Sequence, residues 1–157
     1  GYYKWPMGRL RICWDMAGIR RIEFCTEEAY ENDDKTMPTD ERGMELFKEA
    51  CRQLDLYFQG RQKKFDLPLK PEGTDFQKSV WKALLTIPYG ETRSYKEIAE
   101  AVGNEKACRA VGMANHKNPI VIVIPCHRVV GSSGSMTGYG GGIPAKKWLL
   151  ALEKQHA

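Results

Sequence analysis

Along residues 9–14 the side chains alternate, with Leu10, Ile12 and Trp14 set against Arg9, Arg11 and Cys13. A period of two predicts a half-buried strand. Asp15-Met16-Ala17-Gly18 supplies a turn, and Ile22 and Phe24 alternate on the way back, so the first 25 residues are expected to form a hairpin. Residues 27–40 are rich in Glu, Asp, Asn and Lys and read as a polar loop. Pro38 and Thr39-Asp40 then open a helix carrying Met44, Phe47, Cys51, Leu54 and Phe58 at helical spacing, and Gly60 closes it. That stripe is core packing. Residues 65–73, broken by Pro68 and Pro71, read as an irregular connector between two units.

The second half is more regular. Thr74 followed by Gln77 forms a capping box, in which the hydroxyl accepts from a backbone amide and the glutamine reaches back. The helix behind it carries Phe76, Val80, Trp81, Leu84 and Leu85 and stops at Ile87-Pro88-Tyr89-Gly90. Ser94 and Glu97 make a second capping box, opening a short helix with Tyr95, Ile98, Ala99 and Val102. Gly103 breaks that helix, and Asn104 is expected to cap the next, which runs through Ala107, Ala110, Val111 and Ala114. Two short helices across a glycine turn, with a supporting helix ahead, match a helix-turn-helix. The alanines let the last helix sit close to its neighbours, while Arg109 falls on another face.

Charge separates the two halves. Residues 1–72 hold 13 Lys and Arg against 14 Asp and Glu, a net of −1, and residues 73–157 hold 11 against 6, a net of +5. The asymmetry permits a polyanionic partner for the second half without proving one. A hydrophobic fraction of 42% with 28% charged residues is ordinary for a soluble globular protein. No apolar run approaches the roughly 20 residues that span a bilayer, so no membrane partner is expected. The opening Gly1-Tyr2-Tyr3-Lys4-Trp5-Pro6 lacks the apolar core of a secretory signal. Five cysteines, at 13, 25, 51, 108 and 126, are unpaired in number and spacing, which fits a reducing compartment and a cytoplasmic location.

Cys126 stands apart from the other four, which read as small buried hydrophobes. It ends the apolar run Ile120-Val121-Ile122-Val123-Ile124-Pro125 and precedes His127 and Arg128. Positive charge or an imidazole nearby lowers a thiol pKa, and the thiolate is the reactive form. His127 could act through a water, oriented by a carboxylate such as Glu153 on a final helix from Ala145 to about Gln155. Local chemistry leaves a cysteine hydrolase, a redox thiol, a metal site or an alkyl acceptor open. Histidines at 116, 127 and 156 give no clustered Cys/His spacing, and no pair of cysteines is separated by two residues.

Pro125-Cys126-His127-Arg128-Val129, with Asn118-Pro119 upstream, resembles the signature of the O6-alkylguanine-DNA alkyltransferases. Val80-Trp81, Ile87-Pro88-Tyr89-Gly90, the helices at 92–101 and 103–114, Gly138-Tyr139-Gly140-Gly141-Gly142 and Trp148-Leu149-Leu150 extend the likeness over residues 74–155. The resemblance implies an α/β protein: a small N-terminal α/β domain over residues 1–72, with a ribonuclease H-like sheet and helix, then a mostly helical domain over 73–157 with a helix-turn-helix. It implies single-turnover transfer of an alkyl group from guanine O6 in double-stranded DNA, bound through the minor groove by a monomer. No cofactor and no metal are expected.

Position by position, the resemblance makes Cys126 the alkyl acceptor, His127 the histidine that works through a water and Glu153 the carboxylate behind it. Asn118 fixes the turn near the thiol. Tyr95 favours rotation of the target phosphate, contacts the guanine and is the best proton donor. Arg109 is the finger that fills the gap left by the flipped nucleotide, with Ala110, Ala114 and Arg128 also assigned to DNA. Tyr139 packs beside the extruded base, the Val129 backbone reads its edge, and Gly140 keeps a backbone amide where some relatives carry serine. A non-catalytic helix-turn-helix module and a cysteine hydrolase are the alternatives.

Overall fold

The computed structural model describes residues 1–35, 40–136 and 139–157. The chain divides into two compact units, Gly1–Pro71 and Glu72–Ala157.

The first unit is an antiparallel sheet of β1 (Tyr2–Trp5), β2 (Gly8–Asp15) and β3 (Gly18–Cys25), in that order. The expected hairpin is β2–β3, with Leu10 opposite Phe24 and Ile12 opposite Ile22, and β1 adds a third strand. Alternation buries Leu10, Ile12 and Ile22 completely. Beside β3, Ile19 donates to the Pro68 carbonyl at 2.7 Å and accepts from Lys70 at 2.8 Å, so part of the expected irregular connector pairs with the sheet edge.

A helix forms where a polar loop was expected. In α1 (Glu27–Asn32), the Thr26 hydroxyl accepts from the Ala29 amide at 3.0 Å, and Glu27 and Glu28 lie in the positive first turn. None of its residues is buried, so capping and dipole carry it and no apolar period betrays it. The long helix α2 (Glu41–Phe58) starts at Asp40, whose carboxylate accepts from Gly43 at 3.0 Å; Pro38 and Thr39 lie outside the described residues. Its deepest line is Ala50, Leu54 and Tyr57, while Phe47 stacks on Trp14 at 5.1 Å and Phe58 on Trp5 at 5.5 Å. Buried Gln53 exchanges hydrogen bonds with the Asp66 backbone at 2.8 and 2.9 Å, tying the connector to α2.

In the second unit both expected capping boxes are present. Thr74 and Gln77 start α3 (Asp75–Leu84); Ser94 and Glu97 start α4 (Tyr95–Ala101). Gly103, at a φ of 81°, lets the chain leave α4 in the left-handed conformation. The next helix, α5 (Cys108–His116), differs from expectation at its start. Asn104 shapes the preceding turn, accepting from Ala107 at 3.0 Å, and Ala107 occupies the cap position with no side chain to offer. Val80, Trp81 and Leu84 of α3 and Val111 and Ala114 of α5 join one core, with the Trp81 indole N–H donating to the Ala114 carbonyl at 2.8 Å. A two-residue parallel ladder pairs β4 (Arg93–Ser94) with β5 (Val129–Val130), and α6 (Ile143–His156) closes the unit. Among the described residues no helix is long and apolar enough to cross a membrane.

Candidate active site

The route to Cys126 is a stack of tight turns held by one side chain. Asn118 accepts from the Ile120 amide at 3.0 Å and donates to the Ile124 carbonyl at 2.8 Å. Between those anchors Ile124 donates to Ile120 at 3.0 Å, Val123 to Val121 at 2.8 Å and Cys126 to Ile124 at 2.8 Å. The apolar run is therefore buried as turns. Ile122 takes a φ of 72°, a left-handed conformation that strains a β-branched residue. Such strain persists only where the surroundings over-determine the backbone, and here every residue from Asn118 to Val130 is buried.

Cys126 opens a single 3-10 turn, Cys126–Arg128, and is 3% exposed. Burial pushes its thiol pKa up; the Asn118 side chain, the Lys146 charge and the Tyr139 hydroxyl pull against that shift. Next in the chain, His127 Nε2 meets Glu153 Oε2 at 2.7 Å. Burial drives the imidazole pKa down despite Glu153, so the ring is held neutral. Glu153 is itself buried, yet the hydrogen bonds from His127 and Arg128 and the Arg128 charge outweigh that burial and keep its carboxyl far below the usual carboxylate range. A carboxylate only accepts, which fixes the imidazole proton on Nε2 and leaves Nδ1 as a base. That Nδ1 is buried with no hydrogen-bond partner among the described residues.

Two expected DNA contacts are corrected. Arg128 lies inside, with Nε on Glu153 Oε1 at 2.7 Å, Nη2 on Oε2 at 3.0 Å and Nη1 on the Ile87 carbonyl at 2.7 Å. Its guanidinium is occupied with Glu153 and the Ile87 carbonyl. Ala114 is buried in the α3–α5 core, so its side chain faces away from any ligand of α5. Arg109 and Ala110, by contrast, are exposed on α5.

The β4–β5 ladder brings the start of α4, and with it Tyr95, alongside the chain leaving Cys126, since Ser94 pairs with Val130. The Tyr95 ring also lies about 4.0 Å from the point where a side chain on Gly112 of α5 would begin. Tyr139 is half-buried and reaches the thiol, Gly140 is exposed, and a Cβ added at Gly140 meets nothing within 4 Å. Gly138 lies outside the described residues.

Sequence reasoning missed two site residues. Lys146 is fully buried and donates to the Val129 carbonyl at 2.6 Å, occupying one lone pair of the backbone expected to read the base edge. Its burial lowers its pKa, and the neighbouring Cys126 opposes that shift. The signal was available: Lys146, Leu149 and Glu153 stand at i, i+3 and i+7 on one buried face of α6. Asn115, also buried, donates to the Cys126 carbonyl at 3.3 Å, and nothing in the sequence distinguished it from a surface amide.

A buried thiol followed in the chain by a neutral, carboxylate-held histidine, on a helix-turn-helix unit, points to a cysteine nucleophile or acceptor served by a nucleic-acid-binding fold. Two family profiles match: "6-O-methylguanine DNA methyltransferase, ribonuclease-like domain" over residues 1–71, and the DNA binding domain of the same proteins over 75–155. Among curated proteins, the methylated-DNA–protein-cysteine methyltransferase of Methanosarcina barkeri is 49% identical, covering 96% of this chain and 94% of that relative. That of Mycobacterium tuberculosis is 56% identical over 97% of this chain and 90% of its own length. The solved structure of the M. tuberculosis protein in complex with DNA superposes with a TM-score of 0.86 at 46% identity, covering 99% of this chain and 92% of that one. The chain belongs to the methylated-DNA–protein-cysteine methyltransferase family, as its motifs implied.

Proposed function

We propose that this protein repairs O6-alkylguanine in duplex DNA by moving the alkyl group to Cys126, once per molecule, from a base extruded through the minor groove. The carrying observation is Cys126 buried on its turn stack and followed directly by His127, whose Nε2 lies 2.7 Å from Glu153. A sulfur buried to this depth cannot enter a stacked helix, so the base must come to it, at a cost of a few kcal/mol in lost stacking and pairing. Arg109, exposed on α5, fills the gap, and Ala110 allows close approach to the groove floor. Tyr139 packs beside the extruded ring, and the Gly140 backbone amide faces O6.

Because burial favours the neutral thiol, ionisation needs a base within the site. His127 Nδ1 takes the proton, through a water as its position in the family implies, and Glu153 and Lys146 stabilise the resulting charges. The thiolate attacks the alkyl carbon in line; the sulfur–carbon bond forms as the carbon–O6 bond breaks, and its electron pair stays on guanine. Guanine takes up a proton, for which Tyr95 is assigned as donor. The thioether has no leaving group and no hydrolytic exit, so the reaction is stoichiometric. An O6-methylguanine oligonucleotide should convert Cys126 to its methyl thioether once per protein, a net gain of one CH2 in intact mass. Cys126→Ala should add none while still binding the oligonucleotide. Repeated turnover, or full methylation of the variant, sinks the reading.

A further inference from the structure

We propose that Met113 is a second probe of the groove, an apolar wedge that packs against sugars and base edges beside the nucleotide Arg109 displaces. This rests on reading α5 as the groove helix. Among the described residues the large hydrophobic side chains left strongly exposed are Met7, Met16, Leu85 and Met113, and Met113 is 59% exposed. A lone exposed hydrophobe is ordinary. Met113 is set apart by its company: it stands four residues after Arg109, so the two side chains lie one above the other on one face.

That face is shaped for close approach. Ala110 is exposed and Gly112 has no side chain, so Arg109 and Met113 rise from a floor of small residues, while Val111, Ala114 and Asn115 turn inward. No acidic residue occurs in α5, and exposed His116 and Lys117 follow at its far end, which suits a polyanion. Docking that seats Arg109 in a duplex therefore takes Met113 out of water as well. Four residues of helix advance about 6 Å, roughly two base steps of 3.4 Å. The thioether then falls within about two steps of the opened one, against deoxyribose and base edges. An unbranched, polarisable side chain fits such irregular surfaces, and proteins that unstack steps from the minor groove insert apolar wedges of this kind.

The test compares two substrates, an O6-methylguanine duplex and the free base O6-benzylguanine, whose benzyl carbon is activated and which needs no extrusion. Met113→Ala should lower the ratio of duplex to free-base rates roughly tenfold, the scale of losing one buried methionine, and Met113→Leu should restore most of it. Fluorescence of a 2-aminopurine placed beside the lesion should rise less on binding the alanine variant. An unchanged ratio for Met113→Ala alongside a fallen ratio for Arg109→Ala would overturn the wedge and keep the finger. Unchanged ratios for both would overturn the reading of α5 itself. Equal slowing on both substrates would show Met113 supporting the thiol site instead, which also overturns the wedge.

Discussion

In the first unit Glu27 holds Arg9 at 2.9 Å with 66% of its side chain exposed; in the second, Glu153 holds His127 and Arg128 at 2.7 Å with 1% exposed. The first pair lies in water and is typical of its unit, where Asp15–Arg20, Glu23–Arg11 and Glu49–Arg52 are also open to solvent. Exposed pairs of this kind contribute about 0–1 kcal/mol each. The second set has lost its hydration, and a buried ion pair rarely improves on well-packed apolar residues of the same volume. Surface pairs tune a fold that packing already determines. The buried triad holds a histidine neutral and oriented.

The sharpest way to break that contrast is Glu153→Ala. It leaves Arg128 buried with no carboxylate and should cost about 3–5 kcal/mol of unfolding free energy in a denaturant titration. Acid offers the next largest handle. Below the ordinary histidine value of 6.5 the unfolded chain binds a proton that folded His127 refuses, and below 4.5 the same holds for Glu153. In both ranges the unfolded state binds more protons, so stability falls as pH falls, beginning near pH 6.5 and more steeply below 4.5. Urea titrations across that range should show both legs in the native protein and a shallower lower leg in Glu153→Gln, where the depressed carboxyls of Asp15, Asp33, Glu49 and Glu97 remain. Smallest of all is Glu27→Gln, expected to change stability by no more than about 1 kcal/mol. A loss comparable to that of Glu153→Ala would erase the distinction between the units.

Where a residue's role was local, the chain spelled it out. Thr74 with Gln77 and Ser94 with Glu97 act within four residues, and both capping boxes form. Alternation from Leu10 to Ile12 and on to Ile22 exposed the sheet for the same reason. Helix α1 left no trace because it buries nothing, and the β4–β5 ladder joins two-residue strands more than thirty positions apart. In the site, family motifs pointed to Cys126, His127, Asn118 and Glu153, and the structure buries all four. They misplaced Arg128, because a cation next to a DNA-directed thiol reads equally well as a phosphate contact or a buried brace, and only a partner on a distant helix decides. Lys146 was hidden by the habit of placing lysine at the surface.

Asn118, whose amide spans the turns ahead of the thiol, is followed by Pro119. Asparagine ages when the next residue's backbone nitrogen closes on its side chain to form a succinimide, and proline has no N–H with which to do so. The amide that everything near Cys126 leans on is thereby shielded from the commonest spontaneous decay of its kind. A protein that waits unspent for a single event gains shelf life from that neighbour.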